Sequence, residues 1–262
     1  MLTTDYTPGT PNWADLGTTD VDAAVAFYGA VFGWEFQSAG PDAGGYGMFR
    51  LGGKTVAAAG PLIEPGARPG WTIYFQTPDV DATAASVRQA GGAVLAQMDV
   101  FTEGRMAQFT DPAGAAFAVW QPGNTKGLQA VTDARTLCWT ELHTADTAAA
   151  KAFYQSVFGW VTQDMPMGDF SYTVIQPSDG GENRSQGGML PLTPDMAAEG
   201  WTPQWRPYFE VADCDETVAT ATKEGGTVAM PVNDIPGVGR MAWLTDPAGA
   251  PFNVIKSAMP TA

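Results

Sequence analysis

Two segments of the chain place their apolar residues with the period of an amphipathic helix, and the two segments are nearly identical. They read DVDAAVAFYGAVFGW from Asp20 and DTAAAKAFYQSVFGW from Asp146. One stripe of a 3.6-residue period collects the apolar residues of the first segment: Ala24, Phe27, Tyr28, Val31 and Phe32. Aspartate is a favoured N-cap, and Gly33 and Gly159 stand where a helix would end. We therefore expect two equivalent helices whose aromatic residues lie against a sheet.

Strand-like segments repeat as well. WTIYFQTPDVDAT begins at Trp71 and returns as WRPYFEVADCDET at Trp205, and GRMAQFTDPAGAAFAVW at Gly104 returns as GRMAWLTDPAGAPFNVI at Gly239. In both copies DPAG has the residue types of a type I turn, with Asp first, Pro second and Gly last. This turn joins two strand-like runs and predicts a hairpin. Each copy reads strand, helix, three strands, and then the same order again, which predicts an α+β fold of two βαβββ units per copy.

The spacing between the copies grows along the chain. It is 126 residues at the helix, 134 at Trp71 and 135 at Gly104. The second copy therefore carries an insertion, which we place around GGENRSQGG, a polar, Gly-rich stretch at residues 180–188. The stretch QPGNTKGLQAVTDAR has little periodicity and separates the copies. We predict two tandem modules, residues 1–126 and residues 127–262.

Composition narrows the class of protein. The chain has 28 acidic and 13 basic residues, a formal net charge of -15, so we expect no nucleic-acid partner. Its two cysteines, Cys138 and Cys214, form no CxxC motif, which argues against a disulfide framework or a cysteine-rich zinc site. The N-terminal residues do not read as a secretory signal, and no apolar run approaches the ~18 residues of a membrane span. We expect a cytoplasmic protein without a membrane partner.

The repeated motifs resemble those of the vicinal oxygen chelate superfamily, which contains glyoxalase I, bleomycin-resistance proteins and extradiol dioxygenases. The resemblance rests on a strand followed by D-x-x-x-A-x-x-F-Y-x-x-x-F-G-W, and on the later turn D-P-x-G, in both copies. It covers essentially the whole chain, and two-module actinobacterial proteins labelled hydroxylases or glyoxalase-like proteins are the most alike. The resemblance implies two glyoxalase/bleomycin-resistance-like modules, each with its βαβββ units curled round a cavity.

In metalloenzymes of this superfamily, His, Gln or Glu side chains on the first, fifth and last strands of a module hold a divalent metal ion. Counted from the motifs, these positions hold Trp13, Thr72 and Ala118 in the first copy and Trp139, Arg206 and Asn253 in the second. Trp and Ala cannot bind a metal ion, Arg carries a fixed positive charge, and Thr and Asn are poor ligands. The sequence departs from the family pattern at every one of these positions. We therefore expect no metal ion and no other cofactor.

The neighbours of these positions predict an aromatic cavity lining, because residues two apart on a strand point to the same face. The ligand-binding candidates are Trp13, Trp139, Tyr46, Tyr172, Tyr74, Tyr208, Arg206 and Asn253. Tyr46 and Tyr172 are expected at equivalent places on the third strand of each copy. Such a lining suits a flat, partly aromatic ligand, although the same rings can simply fill the cavity as core.

Three ionisable residues on the first strands are candidate catalytic groups: Asp15, Glu141 and His143. A carboxylate beside a tryptophan in a cavity suits a general base or a cation partner, and it can equally accept a backbone N–H or pair with an arginine. His143 is the single histidine of the chain, so it cannot build a family-type site in both copies. Because Glu141 and His143 lie two apart on one strand, they can act together.

Three functions are compatible with these residues. The one we favour is metal-independent binding of a small, partly aromatic molecule, for drug sequestration or as an accessory to biosynthesis. The alternative is an enzyme of the same superfamily, a lyase or oxygenase of the glyoxalase, dioxygenase or hydroxylase type, with Glu141, His143 or Asp15 as base or unorthodox metal ligand. The third is an interaction protein that recognises partners through its acidic surface. A homo-oligomer is compatible with all three.

Overall fold

The computed structural model describes residues 1–62, 64, 66–178 and 184–258. Residues 180–183 of the predicted insertion lie outside them. The first copy contains β1 (Pro11–Thr18), α1 (Val21–Phe32), β2 (Glu35–Ser38), β3 (Gly47–Leu51), β4 (Lys54–Pro61), β5 (Gly70–Gln76), α2 (Val80–Gln89), β6 (Ala93–Val100), β7 (Gly104–Thr110) and β8 (Ala116–Pro122). The second contains β9 (Leu137–Thr144), α3 (Thr147–Phe158), β10 (Val161–Met167), β11 (Phe170–Gln176), β12 (Gly187–Pro191), α4 (Pro194–Ala198), β13 (Gln204–Glu210), α5 (Cys214–Lys223), β14 (Thr227–Ile235), β15 (Gly239–Thr245) and β16 (Pro251–Ser257).

The helix ends confirm the sequence prediction. Asp20 accepts a hydrogen bond from the backbone N–H of Ala23, and Asp146 does the same for Ala149, each at 2.9 Å. Both helices end at a glycine in the left-handed region, with φ of 67° at Gly33 and 71° at Gly159. These caps satisfy backbone groups that the first and last turns leave unpaired.

The predicted α+β class, with βαβββ units in tandem, is also confirmed. Backbone pairing orders the strands of the first copy β2-β3-β4-β1-β5-β8-β7-β6 and those of the second β10-β11-β12-β9-β13-β16-β15-β14. The DPAG turns join β7 to β8 and β15 to β16, and the backbone N–H of each turn glycine donates to the carbonyl of its aspartate at 3.0 Å and 2.9 Å. No helix in the described ranges is long and apolar enough to cross a membrane.

The chain forms two compact units, and each unit combines segments of both copies. Unit 1 contains Met1–Trp13, Thr72–Gly127 and Trp139–Arg206, and unit 2 contains Ala14–Trp71, Leu128–Cys138 and Pro207–Ala262. The module boundary near residue 126 marks where the sequence repeat begins again. As a boundary between domains it stays a prediction.

In both units the repeated helix packs on the last strand of the other copy. In unit 1 the rings of Phe153, Tyr154 and Phe158 on α3 lie 5.5–6.0 Å from Phe117 on β8. In unit 2 the rings of α1 contact Phe252 on β16 in the same way, with Tyr28 at 5.5 Å. Edge-to-face and tilted rings at these distances form a well-packed aromatic core.

A buried hydrogen-bond chain accompanies this packing in unit 2. The Tyr28 hydroxyl accepts from the Trp71 indole N–H at 3.0 Å and donates to Asp246, the turn aspartate, at 3.3 Å. Burial raises the pKa of the Tyr28 hydroxyl, and the Asp246 charge raises it further. Because Tyr28 of the helix motif bonds to Asp246 of the DPAG turn, each motif needs the other, which explains why both are repeated. Tyr28 lies in the core, as expected for an aromatic residue of this helix.

Unit 1 contains the same chain with residues of the opposite copies. The Tyr154 hydroxyl accepts from the Trp205 indole N–H at 2.8 Å and donates to Asp111 at 3.2 Å. Asp111 also accepts the backbone N–H groups of Ala113 and Ala115, both at 2.9 Å. Every polar group of this buried chain therefore has a partner, as buried polar groups require.

Candidate functional site

Strand β9 places three of the predicted site residues on one face. Trp139, Glu141 and His143 alternate with Thr140 and Leu142, because successive side chains of a strand point to opposite faces. The Trp139 side chain is half-buried, whereas Glu141 is 5% exposed and His143 is fully buried. A partly open aromatic ring thus lies beside two buried ionisable groups.

A continuous chain of hydrogen bonds connects these residues within unit 1. His143 Nε2 lies 2.8 Å from Glu141 Oε1, and the Tyr172 hydroxyl donates to Glu141 Oε2 at 2.9 Å. The Trp139 indole N–H donates to the Tyr172 oxygen at 2.9 Å. Burial raises the pKa of Tyr172 well above its usual value, and the Glu141 carboxylate adds to the effect. Tyr172 therefore stays protonated and acts as a hydrogen-bond donor to Glu141 at neutral pH.

Gly188 on β12 makes room for this arrangement. It pairs with Glu141 in the parallel ladder between β9 and β12. A Cβ atom at this position would overlap the phenol of Tyr172, so only glycine lets the ring cross the strand and reach the carboxylate. Gly188 was not among the predicted site residues, although the two adjacent glycines of QGGML are a signal in the sequence.

Two further residues extend the chain of contacts beyond His143. The ring of Trp201 stacks with the His143 imidazole, at 5.8 Å between centroids and 21° between planes. The Arg206 guanidinium carbon lies 4.3 Å from the centroid of the Trp201 ring, a cation–π contact. Arg206 was predicted, but Trp201 was missed because it follows the short helix α4 in a loop, where no strand or helix period applies. We call Trp139, Tyr172, Glu141, His143, Trp201 and Arg206 the β9 network.

The first copy has a simpler counterpart in unit 2. The Tyr46 hydroxyl donates to Asp15 at 3.2 Å, as Tyr172 does to Glu141. The prediction that Tyr46 lies on the third strand is wrong by one residue, since Tyr46 directly precedes β3 and its N–H bonds to Ala43 in the turn before it. Gly17 stands where the second copy has His143, and a Cβ atom there would press on the Leu62 side chain at 2.8 Å.

Trp13 and Tyr74, two other predicted binding residues of the first copy, pack together in unit 1. Tyr74 belongs to a buried cluster with Ala118 and Trp120, and Trp13 packs against that cluster. Residues that only fill the core would be placed in the same way. Their expected ligand contact stays a prediction.

In unit 2, Tyr208 and Asn253 lie side by side. They are partners in the ladder between β13 and β16, and Trp243 faces Asn253 from β15. The Trp243 indole N–H donates to the Tyr208 hydroxyl at 2.8 Å. Asn253 is fully buried, and neither atom of its amide has a hydrogen-bond partner in the described part of the chain. A buried amide in this state can bind a polar group of a ligand, because leaving it unpaired is costly.

A cavity of about 460 Å³ opens elsewhere in unit 1. Its lining includes Tyr6, Gln76, Gln121, Pro122 and Lys126. It contains no member of the β9 network, and Lys126 is its one charged lining residue. Because the raised pKa of Tyr172 and the buried contact between Glu141 and His143 are features of functional sites, we place the candidate site at the β9 network.

Comparison with known proteins agrees with this fold. The model of the Glyoxalase/Bleomycin resistance protein/Dioxygenase superfamily matches residues 10–119, and a Bleomycin resistance protein-like N-terminal model matches residues 136–177. The chain is 40% identical to "Putative glyoxylase CFP32" of Mycobacterium tuberculosis, over 97% of each chain. The chain belongs to the glyoxalase/bleomycin resistance protein/dioxygenase superfamily.

Two further proteins resemble this chain, one in sequence and one in fold. The chain is 38% identical to the anthracycline biosynthesis protein DnrV of Streptomyces peucetius, over 97% of this chain and 95% of the other. A Mn(II)-bound glyoxalase from Novosphingobium aromaticivorans has the same fold, with a TM-score of 0.63, 20% identity and coverage of 96% and 84% of the two chains. One fold thus carries proteins with different assigned roles.

The residues at the metal positions of the superfamily do not fit a divalent ion here. In the second copy those positions hold Trp139, Arg206 and Asn253, an indole, a cation and an amide. Among the described residues, no group of three or more His, Cys, Asp or Glu side chains could hold a metal ion. Glu141 and His143 form a pair, which is fewer than the three or more protein ligands usual for zinc sites.

Proposed function

We propose that the second copy binds a small, partly aromatic molecule at the β9 network without a metal ion. The observation that carries this proposal is the hydrogen-bond chain from Trp139 through Tyr172 to the Glu141–His143 pair. It holds buried polar groups in a fixed geometry beneath aromatic rings that remain partly exposed. Ligand sites combine apolar and aromatic walls with a few oriented polar groups in this way.

The relatives support the same class of ligand. DnrV is named for anthracycline biosynthesis, and anthracyclines contain fused, planar rings. A planar ring system can stack on the half-buried faces of Trp139 and Tyr172, which offer large apolar surfaces with a polar edge. An accessory role in biosynthesis, or sequestration of an aromatic compound, is compatible with such binding.

We expect the variant Trp139→Ala to lose affinity for a planar aromatic probe by roughly 10- to 100-fold, since a lost stacking ring removes about 1.5–3 kcal/mol of burial. The probe is 1,4-dihydroxyanthraquinone, and its binding is measured by fluorescence titration and by thermal shift. Trp13→Ala, the matched change in the first copy, is expected to retain the affinity. If no compound in a panel of fused-ring aromatics binds the wild-type protein, the proposal is wrong.

A second candidate function is catalysis by general acid–base chemistry. The observation that favours it is the 2.8 Å contact between two buried groups, His143 Nε2 and Glu141 Oε1, because a carboxylate beside an imidazole can orient it for proton transfer. The same pair also suits binding alone.

The variant Glu141→Gln distinguishes catalysis from binding alone. If the protein is a catalyst, this isosteric change should lower turnover at least about 100-fold while the probe still binds, because the carboxylate is the acid–base partner. Conversion of hydroxyanthraquinones is followed by liquid chromatography and mass spectrometry. Equal conversion by the wild-type protein and the variant would remove Glu141 from any catalytic role.

A further inference from the structure

The end of strand β5 holds a buried polar atom that has no partner among the described residues. Gln76 is the last residue of β5. Its backbone N–H donates to the Thr10 carbonyl at 2.8 Å, and its carbonyl accepts from Gly9 at 2.9 Å. Its side-chain oxygen Oε1, in contrast, is buried and accepts no hydrogen bond within the described part of the chain. Because an unpaired buried amide oxygen is costly, a ligand that donates to it gains free energy.

The second copy pairs the matched side chain within its own chain. Glu210 is the residue matched to Gln76, and its carboxylate accepts the backbone N–H of Ser257 at 2.9 Å and the Ser257 hydroxyl at 2.6 Å. In the first copy, Pro122 stands at the position of Ser257. Proline has neither a backbone N–H nor a side-chain donor. The first copy therefore lacks both donors that pair this side chain in the second copy.

A cavity is present where these donors are missing. The cavity of about 460 Å³ in unit 1 is lined by both Gln76 and Pro122, and we call it the Gln76 cavity. Its volume lies within the range of about 300–1,000 Å³ that is usual for small-molecule sites. Tyr6 and Pro78 add further apolar surface to its lining. The cavity thus combines apolar walls with a fixed polar atom that needs a donor.

Two other lining residues of the Gln76 cavity carry hydrogen-bond donors. Gln121 Oε1 accepts the N–H of Val80, the first residue of α2, at 2.9 Å, which holds the amide and leaves its nitrogen as a donor. The exposed Lys126 ammonium donates to the Gly123 carbonyl at 2.7 Å and keeps further N–H groups for a ligand. A carboxylate is an acceptor that suits an ammonium and an amide N–H together.

We infer that the Gln76 cavity binds a small carboxylic acid that also carries an O–H or N–H donor. The donor bonds to Gln76 Oε1 and so replaces the contact that Ser257 makes in the second copy. The carboxylate accepts from Lys126. This site is separate from the proposed function, because no residue of the β9 network lines the cavity.

The test compares three compounds with the same phenyl ring and chain length. Phenyllactate carries both groups, hydrocinnamate lacks the hydroxyl, and phenyllactamide lacks the charge. We expect the wild-type protein to bind phenyllactate at least about tenfold more tightly than hydrocinnamate, which leaves Gln76 unpaired. The preference over phenyllactamide should be roughly two- to fivefold, since Lys126 is exposed. Titrations followed by nuclear magnetic resonance give the affinities and show whether the Gln76 side-chain amide signals shift.

Three variants assign the contacts. Pro122→Ser supplies the donors of the second copy and should lower the affinity for phenyllactate at least about tenfold, because Gln76 then has an internal partner. Gln76→Leu should bind phenyllactate and hydrocinnamate equally, and Lys126→Met should lose the preference over phenyllactamide. Trp139→Ala is the control in the β9 network and should leave the binding of phenyllactate unchanged.

The inference is overturned if the wild-type protein binds none of the three compounds, or binds phenyllactate and hydrocinnamate equally. It is also overturned if Pro122→Ser binds phenyllactate as the wild-type protein does, since the compound then lies elsewhere. If Gln76→Leu does not fold, as judged by circular dichroism, the wild-type series and Pro122→Ser still decide the matter.

Discussion

Replacing Asp111 by alanine is expected to lower the free energy of unfolding by about 3 kcal/mol or more, because buried hydrogen-bond donors would lose their acceptor. Asp111 is 4% exposed and accepts hydrogen bonds from two backbone N–H groups and from the Tyr154 hydroxyl. Alanine would leave these buried donors without an acceptor. Urea unfolding followed by circular dichroism measures the change.

Two variants control this experiment. Asp111→Asn keeps an oxygen for the two backbone N–H groups, so it should cost less than alanine. Asp246→Ala removes the matched aspartate of unit 2, which accepts from Ala248, Ala250 and Tyr28, and should cost a similar amount. A loss below about 1 kcal/mol in both alanine variants would show that these hydrogen bonds contribute little to the stability of either unit.

The pKa shifts of Asp111 and Asp246 predict how the stability of the protein changes with pH. Burial raises the pKa of Asp111 and of Asp246, although their hydrogen bonds oppose the shift. A carboxyl whose pKa is higher in the folded protein binds more protons there than in the unfolded chain. Its contribution to stability is fully present below the unfolded pKa near 3.9 and declines as pH rises through the folded pKa.

The free energy of unfolding of the wild-type protein minus that of Asp111→Asn should therefore fall as pH rises from about 4 towards 7. Urea unfolding at each pH measures it, and subtracting the variant removes the contribution of the other acidic groups. A difference that grows with pH would mean that hydrogen bonds to the carboxylate outweigh its burial.

Replacing Gly188 by alanine is expected to abolish binding at the β9 network and to destabilise the protein by about 1–3 kcal/mol, the cost of overpacking a core position. The new methyl group would overlap the Tyr172 phenol, which would have to leave its hydrogen bonds with Glu141 and Trp139. Titration with the aromatic probe and urea unfolding measure the two effects.

A double-mutant cycle with Tyr172→Ala identifies the cause. If the collision with the ring is responsible, Gly188→Ala should cost little once Tyr172 has been truncated. Gly60→Ala is a matched control in the first copy, where the new methyl group would meet one atom of the Tyr46 ring at 2.8 Å. Additive costs in the cycle would contradict the steric explanation.

Much of the candidate site was predictable from strand periodicity. Trp139, Glu141 and His143 alternate along β9 as the sequence indicated, and the Glu141–His143 contact follows from their two-residue spacing. Trp201 and Gly188 were not predictable in this way. Trp201 reaches the site from a loop, and Gly188 matters through a ring that approaches from another strand.

The sequence by itself determined the repeat, the helix ends, the DPAG hairpins and the family, because these depend on local spacing and on caps a few residues apart. The tertiary structure decided which elements pack together. The two copies carry nearly the same apolar pattern, so the repeated helix of either copy could cover the sheet of the other copy or of its own. Contacts more than 40 residues apart in the chain, such as Tyr154 with Asp111, selected the exchange between copies.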